Sequence, residues 1–463
     1  MGLAAEAQQL VRAWTAIEQL PALLVPSEHW VAPTPLCLIH RAQDESHEPI
    51  SGLSFDEAVV LGTGNLGNQV WNYGARALLS ATVAQASEAA AGAHLNATAL
   101  LLPFANSLRT LENTNQDVLN RSAAEVAAAA DMVVRRNLPT LIVGIGSQSL
   151  RGTDPRRLRL GPQHLRLLKE VSRRGAISVR GQFTADLIRH NGGPPTMVAG
   201  CPSLFLNTDF HLGRRLQDAY RALPALASAR PLRFAIGLPS DCHRSEQLAI
   251  TLLRLVAEHP GSFVVVQDAN DFKCIDTHGP RVKLSFRNVR YFYSVRAWAR
   301  ALGQVDALVS ARIHGSMMGL AAVRPMVVIT TDMRIWELAD VMRLPYVWQD
   351  APKVRAARMN ATSILTTLAS TYDGAAFDAN RYRIAAMYRD MFARITMPLH
   401  PAVLEMAAAH KQHHAAVAPA GAHEGDMRRG QNSTRVESFP ITHAQSPHHS
   451  HTNKHTEHAK PAS

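Results

Sequence analysis

The sequence predicts an α/β protein of two parallel-sheet halves, and three observations lead there. The chain has 463 residues, beyond the roughly 250–300 at which a single core tends to split. Short apolar runs alternate with helical segments from Phe55 onward, the signature of parallel strands joined by crossover helices. That alternation pauses near Ala222–Pro231, rich in Pro, Ala and Arg, and then restarts. The expected organisation is an N-terminal helical extension (1–54), a first half (55–222) and a hinge near 220–231. A second half (231–400) with a C-terminal helix follows, then a disordered His-rich tail (408–463).

Each element follows from its residues. The start, MGLAAEAQQLVRAWTAIEQL, reads as helical; its glutamates and lack of an apolar stretch argue against a secretory signal. A Pro-rich connection follows. EAVVL, TALLLPF, TLIVGIG, AISV and TMVAG read as the strands of the first half, with a long Ala-rich helix from Ser122 between two of them. LRFAIGL, SFVVVQ, DALVS and MVVIT read as strands of the second. The helical segment Asn380–Arg394 comes after the last strand, placed to cross back onto the first half. From about His410 the chain turns polar and holds ten of the 22 histidines without a fixed ligand spacing. It cannot bury enough surface to offset its ordering entropy.

Composition narrows the function. Hydrophobic residues make up 46% and charged residues 18%, a globular balance. No run of about 18 apolar residues suggests a membrane span. The formal charge of +11 suits an anionic partner, but the basic residues are dispersed and lack the aromatic interleaving of a nucleic-acid module, so nucleic acid is not an expected partner. Cys37, Cys201, Cys242 and Cys274 show no CxxC spacing; neither a zinc site nor a disulfide framework is expected, and a reducing cytoplasm fits. No metal or cofactor is expected.

Four motifs carry candidate chemistry. LGTGNLGNQVWNYGARALL (61–79) satisfies G-x-G-x-x-G through Gly62, Gly64 and Gly67. The next strand ends in Ala105-Asn106 rather than an acid, which removes the ribose contact of a dinucleotide site. What remains is an anion- or polyhydroxyl-facing turn with Asn65 and Asn68 pointing outward, or a tight βα turn that needs glycine. AISVRGQFTADLI (176–188) sets Arg180 at a strand's carboxyl end, where α/β sheets bind ligands, with Thr184 early in the next helix. DALVSARIHGSMMGLAAVRP (306–325) sets Arg312 and His314 at another such end, with Gly315 and Ser316 opening a helix whose amides favour an anion. Arg offers a planar fork for carboxylate or phosphate, and His a proton near neutral pH; the plainer alternative is a His bonded to a neighbouring carbonyl. VVITTDMRIWELADVMRLP clusters Asp332, Arg334 and Glu337, where Arg334 and Glu337 also have the spacing of a surface pair.

Taken in order, these motifs resemble the polysaccharide pyruvyl transferase family, from roughly Phe55 to Val347. The carrying residues are Asn65-Leu66-Gly67-Asn68, Ser178-Val179-Arg180, Gly200-Cys201-Pro202-Ser203, Ser310-x-Arg312-x-His314-Gly315 and Thr331-Asp332-x-Arg334. Asn68 and Gly181 stand where members commonly carry Asp. The resemblance implies two Rossmann-like halves facing a cleft, as in GT-B enzymes, and transfer of a pyruvyl group from phosphoenolpyruvate to a sugar as a ketal on a surface polysaccharide (exopolysaccharide) or its precursor. It further implies donor binding by Arg180, Arg312 and His314; the helix start at Gly315 and Ser316 offers amides to the same donor, and His314 is the candidate catalytic acid or base. Asn65, Gly67, Asn68, Asp332, Arg334 and Glu337 are left for the acceptor or an anion. The acceptor is a saccharide, free or lipid-linked, met in the cytoplasm or at the inner membrane face. Two alternatives stay open: a GT-B glycosyltransferase using a nucleotide sugar, and a non-catalytic saccharide-binding subunit.

Overall fold

A computed structural model describes residues 36–39, 65–85, 97–112, 115–355 and 359–417. The first half is a six-stranded parallel sheet in the order β2-β1-β3-β4-β5-β6. Its strands are β1 (Leu36–Ile39), β2 (Thr82–Gln85), β3 (Ala97–Pro103), β4 (Thr140–Ile145), β5 (Gly175–Val179) and β6 (Met197–Val198). Helices α1 (Asn68–Ala77), α2 (Gln116–Arg136), α3 (Pro162–Ser172) and α4 (Gln182–His190) connect them, and α5 (Leu212–Ala229) leads onward. β4 is buried along its whole length, as a strand covered on both faces requires.

The second half is also a six-stranded parallel sheet: β7 (Phe234–Gly237), β8 (Phe263–Val265), β9 (Val289–Arg290), β10 (Ala307–Ser310), β11 (Met326–Thr330) and β12 (Tyr346–Trp348). Its helices are α6 (Glu246–Glu258), α7 (Ala269–His278), α8 (Val295–Leu302), α9 (Ile313–Ala321) and α10 (Met333–Val341). The order β12-β11-β10-β7-β8-β9 is the doubly wound Rossmann arrangement. Its direction reverses between β7 and β10, and the crevice at such a reversal is where these sheets bind ligands. The two Rossmann-like halves of the sequence reading are present.

The chain then returns. After α11 (Ala361–Thr371), helix α12 (Gly374–Ala393) packs on α5 and β5, and α13 (Pro401–Val417) follows. The His400 amide donates to the Leu78 carbonyl and the Ser80 amide to that of Pro398, so residues 398–400 are pinned beside α1. Buried Arg381 donates to the carbonyls of Asn207 and Asp209, closing the same joint.

Several expectations change. Residues 36–39 form β1, inside a stretch read as a Pro-rich connection; four apolar residues behind two prolines leave too short a pattern to read. The hinge near 220–231 is instead mostly helix: α5 runs through Pro224 to Ala229 and is held by packing on α11 and α12. The tail expected to be disordered from 408 is helical to Val417. Cys242 and Cys274 form a disulfide, so the cysteine argument for a reducing compartment does not hold; two cysteines 32 residues apart gave no spacing signal. Gly62, Gly64, the strand EAVVL, the rest of the N-terminal extension and the chain after Val417 lie outside the described residues. Among the described residues no helix is long and apolar enough to cross a membrane.

Candidate active site

The seam between the halves gathers the strand-end residues. On the first half, Arg180 follows β5 and its amide donates to the Ile145 carbonyl at the end of β4. The side chain is buried. Nη1 donates to Asn106 Oδ1, just past β3, while Nε has no partner. Burial brings this guanidinium down to about 10, so it stays a cation at neutral pH.

Arg312 lies at the second half's reversal point, as the N-cap of α9. Its donors are committed inward. Nε donates to the Leu238 carbonyl after β7 (3.1 Å), Nη1 to Asp268 Oδ2 (2.7 Å) and Nη2 to Asp271 Oδ1 (2.5 Å). Asp268 and Asp271 form the capping box that starts α7, satisfying two amides reciprocally. Burial pushes Asp271 up to about 6 against the pull of Arg312. The two carboxylates, in turn, hold Arg312 charged despite its burial. Arg312 is therefore an anchor, and the donor fork expected of it is already occupied. Ser316 is engaged as well: its amide and hydroxyl both reach the Arg312 carbonyl. The helix begins at Ile313, so Gly315 belongs to its first turn, whose free amides keep the expected preference for an anion.

His314 is the member of the motif left free to act. Its Nε2 is buried without a partner. Desolvation first, then the charges of Arg180, Arg334 and Arg312, hold its pKa well below the usual 6.5, so the imidazole is neutral.

The turn at Asn65–Asn68 docks against this motif from the other half. The Leu66 amide donates to the Gln267 carbonyl (2.8 Å), and Asn65 Nδ2 donates to Asp268 Oδ2 (3.0 Å). Asn65 Oδ1 accepts from the Gly67 amide, and Asn68 Oδ1 from Trp71 Nε1 (3.3 Å). Both asparagines are half-buried, with these side-chain groups engaged within the protein. The glycine at 67 leaves room for both neighbours: a Cβ there would lie 2.3 Å from Gln267 Oε1 and 3.0 Å from His314 Nδ1. The turn thus forms a wall of the His314 site.

The fourth motif supplies another cation. Asp332 caps α10 through the Ile335 amide (3.0 Å) and accepts from Arg334 Nη2 (3.1 Å). Arg334 Nε has no partner. Glu337 does not form the surface pair with Arg334 that the spacing allowed. It is buried and crosses the seam to Thr184, accepting from its hydroxyl (2.7 Å) and its amide (3.1 Å). The Met333 amide crosses too, onto the Ser149 carbonyl.

Arg109 was missed in the sequence. It lies in the loop after β3, which ends at Pro103, and so beyond the strand-end position that singled out Arg180 directly after β5. Its Nη1 donates to Gln148 Oε1 (2.9 Å), and burial and then the charge of Arg334 lower its pKa. Buried Gln267, whose carboxamide has no partner, was missed as well, along with Asp268 and Asp271. Arg180 and Arg334 thus lie within electrostatic reach of each other and of the neutral His314, and Arg109 within reach of Arg334. The set suits a compact anion of more than one charge. Among the described residues no group of three His, Cys, Asp or Glu could hold a metal ion.

The family model described as polysaccharide pyruvyl transferase matches residues 113–333, the family the motifs resemble. That span contains Arg180, Arg312, His314 and Asp332; the Asn65–Asn68 turn, Arg109, Arg334 and Glu337 lie outside it. No curated protein matches. Solved structures similar to the chain include UDP-N-acetylglucosamine 2-epimerase from Rickettsia bellii, at 11% identity and TM-score 0.36, covering 78% of this chain and 98% of that one. The UDP-GlcNAc 2-epimerase from Neisseria meningitidis, bound to UDP-GlcNAc, matches at 11% identity and TM-score 0.37, covering 76% and 99%. Phytolacca americana UGT2, complexed with UDP-2fluoro-glucose and pterostilbene, matches at 12% identity and TM-score 0.28, covering 78% and 95%.

Proposed function

We propose that this chain, a polysaccharide pyruvyl transferase family chain over residues 113–333, takes its pyruvyl group from phosphoenolpyruvate and sets it as a ketal on two hydroxyls of a saccharide. One observation carries the choice of donor: Arg180 and Arg334 each keep an unspent Nε–H beside a neutral His314. Phosphoenolpyruvate presents a carboxylate and a phosphate on one small enol, and two or three planar cations from opposite sides of a seam match that charge. Arg312 enters indirectly, by fixing the start of α9 on which His314 stands.

The chemistry follows from these groups. A proton adds to the donor's methylene carbon, and the neighbouring carbon becomes an oxocarbenium-like electrophile. A sugar hydroxyl adds there and loses its proton. The bond from that carbon to the phosphate oxygen breaks, and the second hydroxyl closes the ketal. One proton is consumed at carbon and two are released from the hydroxyls, the surplus leaving with phosphate. His314 is neutral in the free protein and ready to accept a hydroxyl proton. Donor charge on the neighbouring guanidiniums raises its pKa toward the range in which it returns one.

The test is calorimetric titration with phosphoenolpyruvate and, separately, a nucleoside diphosphate sugar. Phosphoenolpyruvate is expected to bind wild type and to bind Arg180→Ala at least about tenfold more weakly, the cost of one charged hydrogen bond. Binding of the nucleotide sugar alone would replace the pyruvyl reading with the glycosyltransferase.

A further inference from the structure

Helix α4 begins one residue after Arg180's neighbour Gly181, its N-cap, and Gly181 offers no side chain to the exposed amides. An N-cap side chain would ordinarily accept from the amide of the third helical residue, which here is Thr184. Glu337 takes that amide instead, from the opposite half and 153 residues away in sequence. Its second oxygen accepts from the Thr184 hydroxyl, which itself accepts from the Ser147 amide after β4 (3.3 Å). The space is made by the glycine: a Cβ at 181 would lie 2.5 Å from Glu337 Cβ and 2.8 Å from its Oε2. Arg180 therefore stands next to the cap, and Arg334 one helical turn before Glu337 on α10.

We propose that Glu337 is a positioning residue: by capping α4 across the seam it fixes Arg180 against Arg334 and so sets the affinity of the anion site. The identity of the anion as phosphoenolpyruvate rests on the function proposed above; the positioning role does not. Glu337 is buried with both oxygens engaged, so it acts through these two arginines and not on substrate. Burial raises it to about 7, and the Thr184 bonds and Arg180 pull the other way.

The experiment compares wild type, Glu337→Ala, Glu337→Gln and the double variant Gly181→Asp/Glu337→Gly, with Glu337→Gly as its control; glycine at 337 removes the Cβ that a side chain at 181 would otherwise meet at 2.5 Å. Binding of phosphoenolpyruvate and of inorganic phosphate is measured by calorimetry, and protection of the Thr184 amide by hydrogen exchange. Glu337→Ala is expected to weaken both anions about tenfold or more and to expose the Thr184 amide. Glu337→Gln, which keeps an acceptor in place, falls between. In the double variant the new Asp caps α4 from within its own half, so Thr184 protection returns while anion affinity stays low. Recovery of both would reduce Glu337 to a local cap and overturn the proposal, as would unchanged phosphate binding in Glu337→Ala. Wild type binding phosphate but not phosphoenolpyruvate would overturn the donor assignment alone.

Discussion

Arg312 and His314 are two residues apart and do opposite work. The arginine is spent on Asp268, Asp271 and Leu238; the histidine, on the helix that this arginine starts, keeps a bare Nε2. A buried cation with two carboxylates is worth more as a fixed strut than as a ligand, because releasing it would leave both acids unpaired. His314→Ala is accordingly expected to bind phosphoenolpyruvate nearly as wild type and to lose roughly 10²–10⁴-fold in turnover. Calorimetry paired with a phosphate-release assay checks this, and normal turnover would assign His314 a structural role. The spacing R-x-H was visible in the sequence as a strand-end pair. Which arginine is free was not, since that depends on acids 44 and 41 residues away.

At the level of elements, the switch point is stapled. Cys242 lies after β7 and Cys274 on α7, the same two elements that supply the partners of Arg312. Closing a loop of 32 residues removes unfolded-state entropy worth about 3–4 kcal/mol in the chain-entropy description. Reduction, or Cys242→Ala/Cys274→Ala, is expected to lower the urea midpoint, and non-reducing peptide mapping to find the two cysteines linked. Absence of that linked peptide would remove the staple. The alternation of strands and helices was legible because buried parallel strands are continuous apolar runs. β1 was not legible, because four residues carry no period, and neither was the pairing of Thr184 with Glu337, since both are ordinary polar residues on helices far apart in sequence.

At the level of the whole molecule, the two sheets are tied by more than the active-site seam. α12 packs on α5 and β5, and the chain before α13 pairs its backbone with Leu78 and Ser80. Leu399, Val403 and Met406 are buried there. At about 1.5–3 kcal/mol for each large apolar side chain, ending the chain at Met397 is expected to cost on the order of 5 kcal/mol. Urea unfolding measures the loss, and an unchanged midpoint would show the return segment to be dispensable. Asn380–Arg394 was legible as a helix able to cross back; its main docking partner was not, because α5 lies in part within the stretch that the sequence presented as a hinge.

That return path bears on how the protein is made. A ribosome delivers the first sheet long before residues 374–407, yet part of the surface beside β5 and α1 is covered by those late residues. The first half must therefore wait with part of its apolar surface open while the second is synthesised, and helices delivered after the second sheet complete the domain that was begun first.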